Sequence, residues 1–297
     1  MADSFISILG QAKNVLHGIR GQIFDVISIA KPKDIYTAVD LSKIISKLSP
    51  ILGNMIEFSI VNELNAFDWR GAGKWVRQDP EFPDALFKSD IVKPNAGIEI
   101  KAWFPLATEI TARFRDSINI VKEGNIDIAL VAWLPENVIW GKPKIIDILV
   151  VSAKSVAQSR DNHYHKPPDY IILEPFDTKE RTSNLQQTNT SGYKIQENKN
   201  SHIYNEAINE VTLWGENCFK YTPNEEYQRK LRGLQSKYRY RLDTNYAKID
   251  RIENADIENF KNKVLNTVFC GRKISSWAKA LTSKENIILE SALQNII

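Results

Sequence analysis

Two nearly continuous apolar runs constrain the fold of this chain more than any other feature. Residues 127–134 and 145–151 consist almost wholly of apolar side chains, and residues 170–173 form a third, shorter run. A strand with one solvated face alternates apolar and polar residues, whereas a strand covered on both faces reads as an unbroken apolar run. Because segments with helical periodicity alternate with these runs, the pattern predicts an α/β fold with a central mixed β-sheet flanked by helices.

The helical segments divide the chain into three predicted regions. Apolar residues recur every three or four positions, the spacing of one helix face, in residues 3–30 (with a break at Gly21), 36–48, 51–64, 108–121, 152–159, 257–269, 274–281 and 284–297. We therefore predict a helical N-terminal segment packed on the core (1–66), an α/β core (67–200) and a mainly helical, basic C-terminal region (201–297).

Composition limits the partners and the compartment. The net charge is only +3 over 297 residues, so affinity for nucleic acid has to come from local clusters of cations. Cys218 and Cys270 are too few and too isolated for a disulfide framework or a zinc site, which indicates a reducing compartment. No uninterrupted apolar run reaches the ~18 residues of a membrane-spanning helix, and we find no signal peptide. We expect a cytoplasmic protein without membrane association.

The most informative chemistry lies in two adjacent segments, residues 83–90 and 97–103, which read as β-strands joined by a turn that contains proline and glycine. Side chains two apart on a strand share a face, so Glu99 and Lys101 are expected to point the same way, with the apolar residues between them facing a core. If the strands pair as a hairpin, Asp84 joins them. The pattern then brings two carboxylates and one ammonium group together.

This trio suits phosphodiester hydrolysis with a hard cation. Mg²⁺ is usually held by one or two carboxylates together with water and substrate phosphates, and Asp84 and Glu99 supply the carboxylates. Lys101 could orient the attacking water, or accept its proton if its own pKa were lowered by the cation and by burial. The simpler interpretation also stands: Asp84 as an ordinary turn residue, with Glu99 and Lys101 on the solvated face of a strand.

At these positions the chain resembles the PD-(D/E)xK nuclease superfamily, and most closely its type II restriction endonucleases. Pro83 and Asp84 match the "PD", and Glu99, Ile100 and Lys101 match the "ExK". The resemblance covers about the middle third of the chain. It implies that Asp84 and Glu99 are metal ligands, that the Ile100 carbonyl is a third ligand, and that Lys101 is the catalytic lysine.

The resemblance also implies a further acid, a core type and an activity. Members often carry another acid on a helix before the first strand, and Glu57 is the better candidate here, with Glu63 behind it. A restriction-endonuclease-like core and Mg²⁺-dependent, sequence-specific cleavage of double-stranded DNA follow from the same resemblance. So does a homodimer, because two-fold protein symmetry matches a palindromic site and brings one catalytic centre to each strand.

Three polar or basic stretches are candidates for DNA contact. Residues 160–166 are polar, residues 177–193 are rich in amide and hydroxyl side chains suited to base readout, and residues 227–241 interleave six cations with three tyrosines, which suits phosphate contact. Mobile surface loops and a solvated helix face are the alternatives. The candidate DNA-binding residues are Arg160, Asn162, His163, Arg181, Asn184, Gln186, Gln187, Asn189, Arg229, Lys230, Arg232, Lys237, Arg239 and Arg241.

Some alternatives stay open at the level of sequence. His163 and His165 have the spacing of a metal pair on a strand, but no cysteine or third histidine lies near them, so contact with DNA is favoured. The same nuclease core could serve structure-specific cleavage in repair or junction resolution. In a third interpretation the protein binds DNA without catalysis, and Glu99 and Lys101 form a surface ion pair.

Overall fold

The computed structural model describes residues 4–78, 81–106, 111–112, 121, 123–161, 171–175, 193–195, 202–215, 224–242, 247–248, 254–283 and 285–297. The helices in this part of the chain are α1 (Phe5–Gly18), α2 (Ile35–Ile44), α3 (Ser49–Ala66), α4 (Ala153–Asp161), α5 (His202–Thr212), α6 (Glu225–Lys237), α7 (Ala255–Asn266), α8 (Ile274–Leu281) and α9 (Asn286–Leu293), with a 3₁₀ turn, Ile45–Leu48, between α2 and α3. The strands are β1 (Lys74–Arg77), β2 (Ala85–Lys88), β3 (Gly97–Trp103), β4 (Thr111–Ala112), β5 (Ile126–Pro135), β6 (Pro143–Ser152), β7 (Ile171–Pro175), β8 (Tyr193–Ile195), β9 (Tyr240–Leu242), β10 (Ala247–Lys248), β11 (Val268–Phe269) and β12 (Arg272–Lys273).

The chain forms two compact units whose boundaries differ from the three predicted regions. Unit 1 comprises Met1–Ile110, Val121–Val156 and Asn254–Ile297, and unit 2 comprises Thr111–Ile120 and Ala157–Glu253. The predicted boundaries after residues 66 and 200 are not those of the structure. The reason is packing between distant parts of the sequence: the C-terminal helices belong to the unit that holds the central sheet, where the ring of Phe260 on α7 lies 6.0 Å from that of Trp103 on β3.

Unit 1 is built on a mixed five-stranded sheet, which confirms the α/β prediction at that level. The strand order is β1-β2-β3-β5-β6. Strands β3 and β5 are parallel, whereas the other neighbouring pairs are antiparallel. Every residue of β5 from Ile128 to Leu134 is fully buried. The unbroken apolar run therefore does mark a strand covered on both faces.

Helix α3 packs against this sheet. Its side chains at Leu52, Ile56, Ile60 and Leu64 are buried at a spacing of four residues, which places them on one face. By length and composition alone, the stretch Ile35–Ala66 is also long and apolar enough to cross a membrane, and the expected lack of membrane association stays a prediction. The buried face of α3 lies inside the protein in this structure.

Three predicted elements are wrong in the described residues. After the break at Gly21, Ile23 and Ile29 do not continue the helical pattern but form isolated bridges to Lys144 and Gly141. The predicted crossover helix over residues 108–121 is contradicted at Thr111–Ala112, which form strand β4 and pair with β10 in unit 2; the rest of that prediction lies largely outside the described residues. The third apolar run gives β7, but β7 belongs to a separate sheet of order β8-β7-β9. An apolar run indicates a buried strand without indicating its partners, and those of β7 come from much later in the chain.

Unit 2 has its own hydrophobic core. One face of α6 contributes Tyr227, Leu231 and Leu234 to it, and Tyr238 follows directly after the helix. The other buried members are Ile171 of β7 and Ala207 and Val211 of α5. Residues from all three elements therefore form one apolar cluster.

A buried charge joins the N-terminal and C-terminal helices of unit 1 to the sheet. Asp147 on β6 has a side chain that is 7% exposed, and its Oδ1 lies 2.7 Å from Arg20 Nε just after α1. Its Oδ2 lies 2.7 Å from Lys263 Nζ on α7. The backbone N–H of Ile148 also donates to Oδ1 at 2.9 Å. Two cations and one amide therefore compensate a carboxylate that water barely reaches.

Candidate active site

The pairing of β2 with β3 brings Asp84 beside Glu99. The strands are antiparallel, with Ala85 opposite Ile98, as the hairpin prediction requires. The backbone N–H of Asp84 donates to Glu99 Oε2 at 3.2 Å. The backbone N–H of Ile100 donates to Asp84 Oδ2 at 2.7 Å. The sheet therefore fixes both carboxylates relative to each other, and the predicted convergence of these residues is confirmed as geometry.

Gly97 allows the chain to bring Asp84 to this position. A Cβ atom added to Gly97 would lie 2.5 Å from Pro83 Cγ and 3.3 Å from Ile126 Cγ1. Pro83 is itself buried and immediately precedes Asp84. The missing side chain at residue 97 thus creates the space in which the start of β2 packs on β3.

Lys101 completes the site from the next outward position on β3. Its Nζ lies 3.6 Å from Asp84 Oδ2 and forms a closer ion pair with Glu99 Oε1. The exposed fractions of the side chains are 19% for Asp84, 10% for Glu99 and 27% for Lys101. Both carboxylates therefore interact with the Nζ atom of Lys101, in a site that solvent can reach.

The electrostatics make Lys101 a cation in this arrangement. Burial lowers the pKa of its ammonium, but the charges of Glu99 and Asp84, a hydrogen bond to Glu99 and the charge of Glu57 outweigh burial and raise that pKa above its ordinary value. Lys101 is consequently protonated at neutral pH. Of the two roles considered from the sequence, donating hydrogen bonds to orient water or phosphate fits this state. The role as a base requires a bound cation to lower this pKa, and it stays a prediction.

The surroundings of Glu99 favour the protonated, uncharged form of its carboxyl group. Burial raises the pKa of its carboxyl, the charge of Asp84 raises it further, and Lys101 lowers it only in part. Two carboxylates held this close repel each other when both are ionised. An additional positive charge at the site would relieve that repulsion.

A second ion pair flanks the site. Glu57 on α3 accepts a 3.0 Å hydrogen bond from Arg77 Nε on β1. Burial raises the pKa of Glu57, the charge of Asp84 adds to this, and Arg77 opposes it. The structure thus places Glu57 within electrostatic reach of Asp84 and Lys101, whereas its catalytic role stays a prediction.

Arg77 was missed in the sequence. It lies opposite Ala85 in the β1–β2 pairing, one position from Asp84. A cation at the end of the short strand that precedes the motif was the available signal. Its pairing with Glu57, twenty residues earlier, depends on how α3 crosses the sheet and leaves no pattern in the sequence.

The donor set fits a hard divalent cation held by two residues rather than a closed metal cage. Among the residues that the structure describes, no group of three or more His, Cys, Asp and Glu side chains is placed to hold a metal ion. Asp84 and Glu99 nevertheless present carboxylate oxygens to a common cation, and Mg²⁺ commonly takes one or two carboxylates with the remaining positions left to water and phosphate. For Ile100 the structure places the N–H on Asp84, and the metal-ligand role of its carbonyl stays a prediction.

Most of the predicted DNA-binding residues have side chains that the structure does not describe. Outside the described side chains are Arg160, Asn162, His163, Arg181, Asn184, Gln186, Gln187, Asn189 and Arg241, together with His165. The described ones are Arg229, Lys230, Arg232 and Lys237 on α6, and Arg239 just after it; of these, Arg229, Arg232, Lys237 and Arg239 are exposed and Lys230 is half-buried. Tyr227 and Tyr238 are buried in the core of unit 2. The exposed Arg229 and Arg232 therefore lie on a different face of α6 from the buried Tyr227.

Comparisons with protein-family models, with curated proteins and with solved structures found no match. The function of the site is therefore argued from its own geometry and chemistry.

Proposed function

We propose that this protein is a Mg²⁺-dependent endonuclease that hydrolyses phosphodiester bonds in double-stranded DNA. The observation that carries the proposal is the convergence of Asp84, Glu99 and Lys101 at the β2–β3 hairpin, with Lys101 Nζ between the two carboxylates. In finer detail, we propose a type II restriction enzyme with a restriction-endonuclease-like core. It would act in the cytoplasm as a homodimer that cuts both strands at a specific sequence.

Asp84 and Glu99 would hold the Mg²⁺, with the Ile100 carbonyl as a further ligand. Bound there, the ion would supply positive charge for the phosphate oxygens and would lower the pKa of a coordinated water. The burial of Glu99 supports this assignment, because Lys101 lowers the raised pKa of this carboxyl only in part, and a divalent cation would further offset the repulsion between the two close carboxylates.

The charged surroundings of Lys101 indicate that it would act as a hydrogen-bond donor. As an ammonium group it donates hydrogen bonds, so it can hold the attacking water or a non-bridging phosphate oxygen in position. A divalent cation on Asp84 and Glu99 would offset the negative field that raises the pKa of Lys101. Glu57 and Arg77 border the same site, where they add one negative and one positive charge.

A non-catalytic DNA-binding protein is the second candidate, because the ion pair between Glu99 and Lys101 that it requires is present. That candidate expects a surface pair, however, and the side chain of Glu99 is only 10% exposed. Surface ion pairs contribute little stability, whereas a nearly buried one carries a desolvation cost that a functional site would explain.

Cleavage of supercoiled plasmid DNA with and without Mg²⁺ tests the proposal. Wild-type protein is expected to cut only with the metal, and Asp84→Ala and Lys101→Ala are expected to lose this activity. Asp90→Ala is the matched control, because Asp90 is an exposed carboxylate just after β2. Unchanged cutting by both site variants would refute the assignment.

The choice of DNA separates the remaining possibilities. Discrete fragments from unmodified phage DNA, with ends that map to one sequence, would support a restriction enzyme. Cutting confined to forks or junctions would support a structure-specific nuclease. Binding that persists in EDTA, without cleavage under any divalent metal, would support the non-catalytic candidate.

A further inference from the structure

Helix α6 of unit 2 has one face that its own fold uses and one that it does not. Tyr227, Leu231 and Leu234 are buried, and their spacing of four and three residues marks one side of the helix. This side packs in the core of unit 2. The opposite side is available to a partner.

The opposite side carries Arg229, Arg232, Gly233 and Ser236, all exposed. Their spacing of three, four and seven residues from Arg229 places them along one stripe. Among the residues that the structure describes, neither Arg229 nor Arg232 has a carboxylate within ion-pair distance. The hydroxyl of Ser236 donates to the Arg232 carbonyl at 2.8 Å within the helix.

The lysines of the same helix are engaged differently. Lys230 Nζ lies 2.9 Å from Glu226 Oε1. Lys237 Nζ lies 2.8 Å from Glu210 Oε2 on α5, and it also lies 5.0 Å from the centre of the Tyr238 ring. Both lysines therefore have intramolecular partners on the flank of the helix. The two arginines of the stripe and the two lysines therefore form distinct sets.

Gly233 has no steric reason to be glycine within the described part of the chain. A Cβ atom built at this position meets no heavy atom within 4 Å. Glycine in the middle of a helix lowers its stability relative to alanine. A bare backbone directly after Arg232 and one turn after Arg229, however, lets a bulky partner approach the helix closely.

We propose that the stripe of Arg229, Arg232, Gly233 and Ser236 lies against a phosphodiester strand of double-stranded DNA, with the two arginines on phosphate oxygens. This inference rests on the proposed nuclease function, which makes DNA the substrate. The guanidinium group matches phosphate geometry through paired N–H donors. Glu225 is exposed in the first turn of the same helix, so the phosphate contacts lie from Arg229 towards the C-terminal end.

Binding of a short labelled duplex in EDTA, where no cleavage occurs, tests the two arginines. The double variant Arg229→Ala/Arg232→Ala is expected to bind on the order of tenfold more weakly near physiological salt. The slope of log affinity against log salt should also fall by nearly two, since each lost phosphate contact removes about 0.9 from it. Lys230→Ala/Lys237→Ala is the matched control, because it makes the same change in net charge on the same helix. The sequence groups both lysines with the candidate DNA contacts, but in the structure they pair with Glu226 and Glu210, so this variant should stay near the wild-type affinity and slope.

Gly233→Gln tests the close approach without weakening the fold. Replacing a helical glycine by a good helix former is expected to raise the melting temperature. The same variant is expected to bind the duplex several-fold more weakly, because the new side chain fills the space the strand would occupy. Gly10→Gln on α1 of unit 1 is the control, since a Cβ there also meets nothing within 4 Å; its DNA binding should not change.

The outcomes separate this inference from the proposed function. If the wild-type protein cleaves DNA while the arginine and glycine variants bind like wild type, the stripe is not the contact surface and the nuclease proposal stands. An equal loss of binding in the arginine and lysine double variants would also overturn it, because net charge alone would then explain the effect. If the wild-type protein neither binds nor cleaves duplex DNA, both proposals fail.

Discussion

The Oδ2 atom of Asp84 accepts a 2.7 Å hydrogen bond from the backbone N–H of Ile100. The donor belongs to β3, between the two residues that complete the candidate site. One carboxylate oxygen of Asp84 is therefore oriented by the sheet itself, and the side chain has a structural contact as well as a proposed chemical role. These two contributions can be separated by substitution.

Asp84→Asn is expected to keep the fold and lose the activity. The amide oxygen of asparagine can still accept the hydrogen bond from Ile100, so the melting temperature should stay near that of the wild type. The lost negative charge should lower Mg²⁺-dependent cleavage at least ~100-fold, or about 2.7 kcal/mol. Plasmid cleavage and thermal unfolding on the same preparations check this. Full activity in Asp84→Asn would show that the carboxylate charge is not needed.

Gly97→Ala is expected to disturb the site through Pro83. The added methyl group would meet Pro83 Cγ at 2.5 Å, so the start of β2 must shift, at a cost of about 1–3 kcal/mol. Because Asp84 follows Pro83, cleavage should fall as well. Gly53→Ala on α3 is the control: its methyl would lie 3.5 Å from Ala102 Cβ, an ordinary contact, and alanine favours the helix. Urea unfolding should show a loss only for Gly97→Ala.

The raised pKa of Glu57 predicts a pH dependence of stability. Burial, followed by the charge of Asp84, raises the pKa of this carboxyl in the folded state, so the folded protein binds the proton more tightly than the unfolded chain does. The favourable contribution is fully present below the ordinary glutamate pKa and is lost as the pH rises through the raised value. Relative to Glu57→Gln, the wild type should therefore lose stability across that window, with a slope of at most ~1.4 kcal/mol per pH unit.

Substitution of Arg77 provides a second test of this prediction. Its charge lowers the pKa of Glu57 against the effect of burial, so Arg77→Met should raise that pKa further and extend the pH window upwards. Chemical unfolding at several pH values, for wild type, Glu57→Gln, Arg77→Met and the double variant, measures the effect. Glu63→Gln controls for the loss of a carboxylate from the same helix. Parallel stability curves for wild type and Glu57→Gln would contradict the prediction.

The sequence predicts the parts of this protein that depend on local pattern. Strand β5 is recognisable because an unbroken apolar run of this length is typical of a buried strand in an α/β chain, and α8 matches its predicted range because Ile274, Trp277 and Ala280 are buried one helical turn apart. The hairpin around Asp84 and Glu99 is predictable because the turn and both strands are adjacent in sequence. In each case the information lies within a few residues.

The structural features that could not be predicted from the sequence depend on contacts between distant residues. Strand β7 reads like a strand of the central sheet, yet it pairs with β8 and β9, because a run of apolar residues does not specify its neighbours. Among the cations of their segment, Tyr227 and Tyr238 resemble residues that contact a partner. In the structure, however, both are buried in the core of unit 2. The ion pair of Arg77 with Glu57 likewise exists only after α3 has crossed the sheet.

The network around Asp147 leads to a prediction about stability rather than catalysis. Arg20 and Lys263 both pair with this carboxylate at 2.7 Å, so either cation alone can compensate it, and Arg20→Met or Lys263→Met should each cost only ~1 kcal/mol. Removing both leaves a nearly buried carboxylate without a cation, which should cost about 3–5 kcal/mol. The losses are therefore expected to be more than additive. Adding Asp147→Asn to the double variant should restore much of the stability, because it removes the charge and keeps an acceptor for the Ile148 N–H. Urea unfolding of the four variants measures this, and strictly additive losses would mean that the two cations do not share the compensation of Asp147.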